Sequence, residues 1–258
     1  MSKNGGKKVI CGNWKMHPLT YKEGEKLFKD VVKGLPKIRN TEVLVAVPLI
    51  YIEKLRSISK KVSLTAQNAF YGDVGAFTGE VSGAMLSALG VKYVIIGHSE
   101  RRALGEDNSI INKKLKSVLA EGVVPILCVG EEERDESHNY FELVRTQVKE
   151  CLSGINKNLI PKIIIAYEPV WALSSTPNRR DATAEDSNEM AIFIRKTISD
   201  MTNPAIASGV RILYGGSVNE RDAEYFLTDG GVDGVMPGKA SLTAKKFIAI
   251  VTIAENIK

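Results

Sequence analysis

The sequence predicts an α/β fold, a single (β/α)8 barrel, because short apolar runs alternate with helical patterns along its 258 residues. The runs are rich in Val, Ile and Leu and are continuous, as expected for parallel strands buried on both faces. Eight βαβ units in about 250 residues fit a closed barrel better than a doubly wound sheet. No GxGxxG follows the first run and no linker-like composition occurs, so residues 1–258 are expected to form one domain. The predicted strands are residues 9–11, 43–47, 62–64, 93–96, 123–129, 163–166, 212–214 and 232–236.

Helical segments between these runs carry recognisable caps and apolar stripes. Asp107 or Asn108 can cap residues 110–120, and Gly122 follows as a natural C-terminal glycine. Thr183 and Asp186 resemble a capping box, with Asp in the place usual for Glu or Gln. Apolar residues at helical spacing predict the buried faces of three helices. These residues are Phe141, Val144, Val148 and Cys151; Met190, Ile194 and Ile198; and Phe247, Ile248, Val251 and Ile253.

Composition argues against several classes of protein. The net charge is +5 with scattered Lys and Arg, so nucleic-acid binding is not expected, although a small anion would be attracted. No apolar stretch approaches the roughly 20 residues that span a bilayer, and no apolar signal region follows the basic N-terminus. Cysteines 11, 128 and 151 lack CxxC or Cys/His spacing, which indicates reduced, buried thiols rather than disulfides or a zinc site. A cytoplasmic protein without a membrane association is expected.

Candidate catalytic residues follow three of the predicted strands. In a (β/α)8 barrel the active site lies at the carboxyl ends of the strands, where Lys15, His98 and Glu168 would meet. Each has an ordinary explanation by itself: a surface cation, a satisfied strand-end histidine and half of an ion pair. Together they supply a cation, a neutral hydrogen-bond donor and a carboxylate base. These groups can remove a proton next to a carbonyl and stabilise the resulting enediolate.

Glycine-containing segments follow the last two strands. Residues 214–218 read Tyr-Gly-Gly-Ser-Val and residues 237–241 read Pro-Gly-Lys-Ala-Ser. Glycines there let backbone N–H groups approach an anion beside a helix N-terminus, and barrels of this type often bind phosphate at this place. Glycines that serve only tight turns would explain either segment alone. The two together predict a phosphate site that includes Ser217, Gly238 and Lys239.

The motifs of the chain resemble those of the triosephosphate isomerase family over essentially the whole length. The resemblance implies a TIM barrel that interconverts dihydroxyacetone phosphate and glyceraldehyde 3-phosphate, with Glu168 as the base between C1 and C2. It implies that His98 is neutral and donates a hydrogen bond to the substrate oxygens, the role of such a histidine in this family. It further implies that Lys15 balances the negative charge and Asn13 orients the substrate. The matching segments are residues 13–16, 67–68, 75–80, 95–102, 167–172 and 214–218.

Supporting roles also follow from the resemblance. Glu100 would position Lys15, although an ordinary structural ion pair explains it equally well. Neither metal nor organic cofactor is required, because the substrate carbonyl itself accepts the electrons. Thr78 matches the residue that reaches into a neighbouring subunit, so a homodimer is expected. Trp171 would anchor the hinge of the lid, residues 171–183.

The lid departs from the family pattern. Where the family usually continues Trp-Ala-Ile-Gly-Thr-Gly-Lys, residues 171–183 read Trp-Ala-Leu-Ser-Ser-Thr-Pro-Asn-Arg-Arg-Asp-Ala-Thr. Both glycines are missing, and the lid is longer by about three residues, which costs little entropy in a loop. Ser174 takes the position whose backbone N–H meets the phosphate, and Pro177 restricts the backbone further. Residues 174–181 therefore predict altered closure rather than lost chemistry, with Arg179 and Arg180 solvated unless they touch phosphate.

Two other functions remain open from the sequence. An aldolase on the same fold would use Lys15 to form a Schiff base, which needs a neutral amine. A noncatalytic barrel that binds phosphorylated ligands would keep the site without turnover. Lys239 is a further departure, since the family commonly has a second glycine there.

Overall fold

The eight strands form a closed barrel in chain order, and every pair of neighbours is parallel. The computed structural model describes residues 6–177 and 179–257. The predicted (β/α)8 fold is confirmed, and each predicted run overlaps one strand. The strands are Lys8–Asn13 (β1), Thr41–Ala46 (β2), Ser63–Ala66 (β3), Tyr93–Ile96 (β4), Val124–Val129 (β5), Ile164–Tyr167 (β6), Arg211–Tyr214 (β7) and Gly234–Val235 (β8).

Helices lie between consecutive strands and pack on the outside of the barrel. Three short 3-10 helices are present in the described residues: Lys157–Lys162, Val170–Ala172 and Lys239–Leu242. The α-helices are Tyr21–Gly34 (α1), Leu49–Leu55 (α2), Gly83–Ala88 (α3), Ser99–Ala103 (α4), Asn108–Ala120 (α5), Asn139–Leu152 (α6), Ala184–Met201 (α7), Pro204–Gly209 (α8), Ala223–Thr228 (α9) and Ala244–Asn256 (α10).

The predicted caps are present. Asp107 Oδ1 accepts a hydrogen bond from the N–H of Ile110 at 2.8 Å, and Gly122 follows α5 with a φ of +71°. The capping box of α7 is complete: Thr183 Oγ1 accepts from Asp186 N at 3.1 Å, and Asp186 Oδ2 accepts from Thr183 N at 2.9 Å. This box fixes the residue at which α7 begins, directly after the segment 171–183.

The buried face of α10 differs from the predicted stripe. Ile248 and Ile253 are only half-buried. The positions that face the barrel are spaced i, i+3, i+4 and i+7, and the sequence offered apolar residues on both sides of this face. The fully buried residues are Phe247, Ile250, Val251 and Ala254.

Buried side chains fill two layers, one inside the barrel and one between strands and helices. Along β1, Val9 and Cys11 belong to the inner layer, while Ile10 belongs to the outer one, and all three are fully buried. Strands buried on both faces explain the continuous apolar runs. Cys128 also lies in the inner layer, Cys151 lies on α6, and the three cysteines are free thiols.

A polar network crosses from β2 to β7 at the end of the barrel where the strands begin. Arg211 Nη1 lies 2.7 Å from Glu42 Oε2, and the hydroxyl of Tyr93 donates to the other oxygen of Glu42. The candidate catalytic residues lie at the other end of the barrel, where the strands end. None of the described helices combines the length and hydropathy that a membrane-spanning helix needs.

Candidate active site

One pocket at the carboxyl ends of the strands collects the predicted catalytic and phosphate-binding residues. The strands end at this edge of the sheet, so side chains far apart in sequence become neighbours. Glu100 lines the adjoining recess with Lys15 and His98. Residues of the pocket that the sequence singled out are Asn13, Lys15, His98, Glu168, Ser174, Ser217, Gly238 and Lys239.

The carboxylate of Glu168 is buried, with only 2% of the residue exposed. Its Oε2 accepts a hydrogen bond from the backbone N–H of Ser99 at 3.0 Å. Its Oε1 lies 3.1 Å from His98 Nε2, but no hydrogen-bond donor of the described residues is aligned with this oxygen. A buried carboxylate oxygen without a donor is costly unless a ligand uses it, and here it is free to accept a proton.

Space for the Glu168 side chain depends on Gly215. A Cβ atom at position 215 would lie 2.8 Å from Glu168 Cγ and 3.1 Å from the carbonyl oxygen of Tyr167. Contacts this short force one side to move, and Tyr167 is held within β6. The glycine after β7 thus keeps the carboxylate in its position, a role separate from phosphate binding.

The tautomer of His98 follows from its contacts. The N–H of Glu100 donates to His98 Nδ1 at 3.2 Å, and His98 is the N-cap residue of α4. A nitrogen that accepts an N–H bond carries no proton, so the neutral ring carries its proton on Nε2. This N–H faces the pocket and can donate to an oxygen of a bound molecule.

Lys15 adopts an unusual backbone conformation with a φ of +52°. A non-glycine residue in this region costs about 1–3 kcal/mol and needs support from its surroundings. Asn13 Oδ1 accepts from the N–H of Lys15 at 2.9 Å, and Gln67 Nε2 donates to its carbonyl at 2.8 Å. The Lys15 ammonium lies 2.6 Å from Glu100 Oε1, so the pairing expected between these residues is present.

Gln67 and Ser99 lie in segments that resemble the family pattern, but the sequence analysis assigns neither of them a role in the site. Gln67 Nε2 faces three acceptors, since it also lies 3.1 Å from the carbonyl of Ala46 and 3.4 Å from Asn13 Oδ1. The available signal was their position, because Gln67 directly follows β3 and Ser99 directly follows His98. Uncharged polar residues at the ends of barrel strands can support the site just as ionisable ones do.

The two glycine-containing segments also line the pocket. Gly238 precedes the 3-10 helix Lys239–Leu242, whose first N–H groups have no partner within the helix. A Cβ at position 238 would lie 3.6 Å from Lys15 Cε, so this segment and the lysine are adjacent. Ser217 lines the same pocket, but α9 begins only at Ala223. A helix N-terminus was expected beside both glycine-containing segments. It directly follows the segment after β8, but not the segment after β7.

A family model described as triosephosphate isomerase matches residues 8–254. The chain belongs to the triosephosphate isomerase family. It is an intramolecular aldose–ketose isomerase that interconverts dihydroxyacetone phosphate and D-glyceraldehyde 3-phosphate, and its substrate is a phosphorylated triose. Within the described residues, no group of three or more His, Cys, Asp and Glu is arranged to hold a metal ion.

A buried carboxylate of this triosephosphate isomerase holds the start of the segment 171–183, which the sequence predicts to be a lid. Trp171 Nε1 and the hydroxyl of Tyr167 both donate to Glu131 Oε1, at 2.8 Å and 2.7 Å. Glu131 is fully buried, and Arg134 Nε lies 3.2 Å from the same oxygen. Arg134 Nη1 also lies 2.7 Å from Asp186 Oδ1. Asp186 forms the capping box with Thr183, where the segment 171–183 ends.

Residues 174–181, for which the sequence predicts altered closure, lie between these two points of the chain. Ser174 lines the pocket although it is largely exposed. Asn178, within the divergent residues 174–181, lies outside the described residues. Glu131 and Arg134 follow β5 among several similar charged residues, and no local pattern distinguishes them.

Thr78 does not belong to the pocket. It lies in an exposed loop after β3 in which Val74 is 88% and Phe77 is 46% exposed. Large apolar side chains exposed in one loop are typical of a surface that another protein covers.

Proposed function

We propose that Glu168 is the base of the isomerisation, His98 the hydrogen-bond donor, Lys15 the balancing cation and Asn13 the orienting residue. The observation that carries this proposal is the buried and undonated Oε1 of Glu168, which lies 3.1 Å from His98 Nε2. A proton acceptor and a neutral N–H donor thus face the same small space. This is the arrangement needed when a proton leaves carbon while charge develops on oxygen.

The chemistry then proceeds through an enediolate. Starting from dihydroxyacetone phosphate, Glu168 removes a proton from C1, the C–H electron pair forms a C1–C2 double bond, and the carbonyl electrons move onto O2. His98 Nε2–H and the Lys15 ammonium stabilise this negative charge. After a proton is transferred from O1 to O2, the protonated Glu168 returns its proton to C2. The carbonyl now lies at C1, so atoms and electrons balance without a cofactor.

The substrate phosphate is proposed to lie between Ser174, Ser217, Gly238 and Lys239. Backbone N–H groups at the start of a 3-10 helix and in a glycine-containing turn can donate to phosphate oxygens. The exposed ammonium of Lys239 adds attraction without being required for the backbone contacts. Lys15 reaches the same wall near Gly238, so it can neutralise both the phosphate and the enediolate.

A Schiff-base aldolase is not favoured by the surroundings of Lys15. A nucleophilic lysine has to be neutral, whereas Glu100 Oε1 lies 2.6 Å from the Lys15 ammonium and stabilises its charge. Glu100 is accordingly proposed as a supporting residue that positions Lys15.

We further propose that the enzyme is a homodimer in which Thr78 approaches the neighbouring site. Met16 is 91% and Leu104 is 76% exposed, and both line the recess that contains Lys15 and Glu100. A partner loop would cover this apolar edge. Sedimentation velocity should give about twice the 28.2 kDa of one chain. Leu104→Glu should shift the protein towards monomer, whereas Tyr225→Glu should not, because the Tyr225 side chain is exposed on α9, away from this recess.

The remaining proposals concern the whole chain. Residues 1–258 are proposed to form one barrel domain that acts in the cytoplasm, where its three free thiols would stay reduced. The reaction belongs to glycolysis and gluconeogenesis. No metal, organic cofactor, nucleic acid or membrane is proposed as a partner.

Proton exchange with the solvent tests the catalytic assignment. In deuterium oxide, the protonated Glu168 should exchange before it returns its proton, so the product should carry deuterium at the carbon that accepts it. Glu168→Gln should abolish both turnover and incorporation. Turnover that persists in Glu168→Gln with the same deuterium content would refute Glu168 as the base.

A further inference from the structure

The lid contains a contact between its first and last parts. The guanidinium carbon of Arg180 lies 4.3 Å from the centre of the Trp171 ring. A cation over the face of an indole within about 6 Å is attracted by the ring quadrupole. The ring itself is held, because its N–H donates to the fully buried Glu131. Trp171 thus offers a fixed platform for the returning part of the lid.

Arg180 differs from its neighbour in the partner that it uses. Arg179 lies 2.7 Å from Asp181 in an ion pair. Arg180 has no carboxylate partner among the described residues, and its guanidinium lies over the ring although the side chain is exposed. The expectation that both arginines stay solvated is therefore incomplete for Arg180.

We propose that Arg180 is a positioning residue of the lid, whose contact with Trp171 ties the two ends together and holds Ser174 over the pocket. This inference rests on the proposed role of Ser174 in binding phosphate. The contact joins residues nine apart in the chain, so it removes conformations from the intervening loop before substrate arrives. A loop that is already ordered costs less free energy to order on binding.

The contact compensates for the unusual composition of this lid. Without its two glycines, the segment has fewer backbone conformations in which an N–H can point at the phosphate. Its additional length, about three residues, increases the number of conformations in which no N–H points at the phosphate. A contact at the hinge selects among them without occupying the pocket. Exposed cation–π pairs change an equilibrium by about two- to fivefold, which sets the expected effect.

Substitution of Arg180 with a matched control tests the lid role. Arg180→Gln should raise KM and the inhibition constant of 2-phosphoglycolate by about two- to fivefold, with kcat changed by less than about twofold. Arg180→Lys, which keeps the cation, should restore part of this loss. Arg179→Gln removes the same charge one residue away and should have little effect. Equal losses in the two glutamine variants, or no loss in either, would overturn the proposal.

Fluorine NMR tests the contact itself. The chain has two tryptophans, so 5-fluorotryptophan labelling gives two resonances. Arg180→Gln should shift one of them, assigned by Trp171→Phe, and Arg179→Gln should shift neither. An unchanged spectrum would overturn the contact, and a shift without a change in KM would overturn the lid role. Either result would leave the assignment of Glu168 as base intact, because deuterium incorporation tests it separately.

Discussion

Glu168 and His98 face each other across 3.1 Å, yet the Glu168 oxygen at this contact accepts no hydrogen bond from residues 6–177 or 179–257. The other oxygen is held by the Ser99 N–H at 3.0 Å. One half of the carboxylate is therefore fixed by the backbone, while the other half is available to a substrate. This division gives a base that is held in place before the reaction and still has an oxygen free to take a proton.

Gly215→Ala should impair the chemical step by displacing the base. The added methyl would lie 2.8 Å from Glu168 Cγ, so the side chain has to move. A displacement of about 1 Å can reduce turnover on the order of 100-fold, and we expect kcat to fall by this order with a smaller change in KM. Steady-state kinetics measures both constants.

Gly24→Ala is the matched control for this variant. Gly24 lies in α1, and its added methyl would lie 3.4 Å from Cγ of Pro18, which precedes the helix, an ordinary van der Waals contact. Its kinetics should match those of the native enzyme. If Gly215→Ala also retained native kcat, Gly215 would not be needed to place Glu168.

Gln67→Glu should disturb Lys15. The substitution replaces an amide donor with an oxygen that faces the carbonyls of Lys15 and Ala46 at 2.8 Å and 3.1 Å. Buried polar groups left without partners cost about 1–3 kcal/mol each, so urea unfolding should show a loss of that size. We expect kcat/KM to fall by about tenfold or more, because the left-handed conformation of Lys15 loses a support. A native kcat/KM would show that Gln67 does not position Lys15.

The stability of the enzyme should decline in mild alkali, in part through Cys151. Burial raises the pKa of this thiol to about 11, against the opposing effect of Arg102. An unfolded thiol has a pKa near 8.5, so between about pH 8.5 and 11 the folded state keeps a proton that the unfolded state has lost. The free energy of unfolding therefore falls as pH rises, by about 1.4 kcal/mol per pH unit from this group.

Urea unfolding at pH 8 and pH 10 measures this decline. Cys151→Ala removes the titrating group, so its stability should fall less steeply between the two pH values, whatever constant cost its small cavity adds. Parallel declines in the two proteins would contradict the assignment of the pH dependence to Cys151.

The sequence predicts the barrel, and the meeting of three side chains in one pocket, for one physical reason. Parallel strands of a barrel end at the same edge, so Lys15, His98 and Glu168 had to meet once eight strands were recognised. Local patterns were sufficient for the caps at Asp107 and Thr183, because each involves residues close in the chain.

Other features could not be predicted because they depend on contacts between distant residues. Glu131 meets Tyr167 and Trp171, 36 and 40 residues further along, and nothing local separates it from neighbouring glutamates. The contact of Arg180 with Trp171 depends on the path of the chain between these two residues, which no local pattern predicts. Composition indicated that this lid is unusual, but only the folded chain shows which ring its arginine meets.

The most direct test of the central claim is isomerisation of D-glyceraldehyde 3-phosphate in a coupled assay, with the native enzyme and Glu168→Asp. The substitution keeps the carboxylate but withdraws it by one methylene, which should reduce kcat on the order of 100-fold or more while 2-phosphoglycolate still binds. This result would support Glu168 as the positioned base. Native turnover in Glu168→Asp would contradict the account.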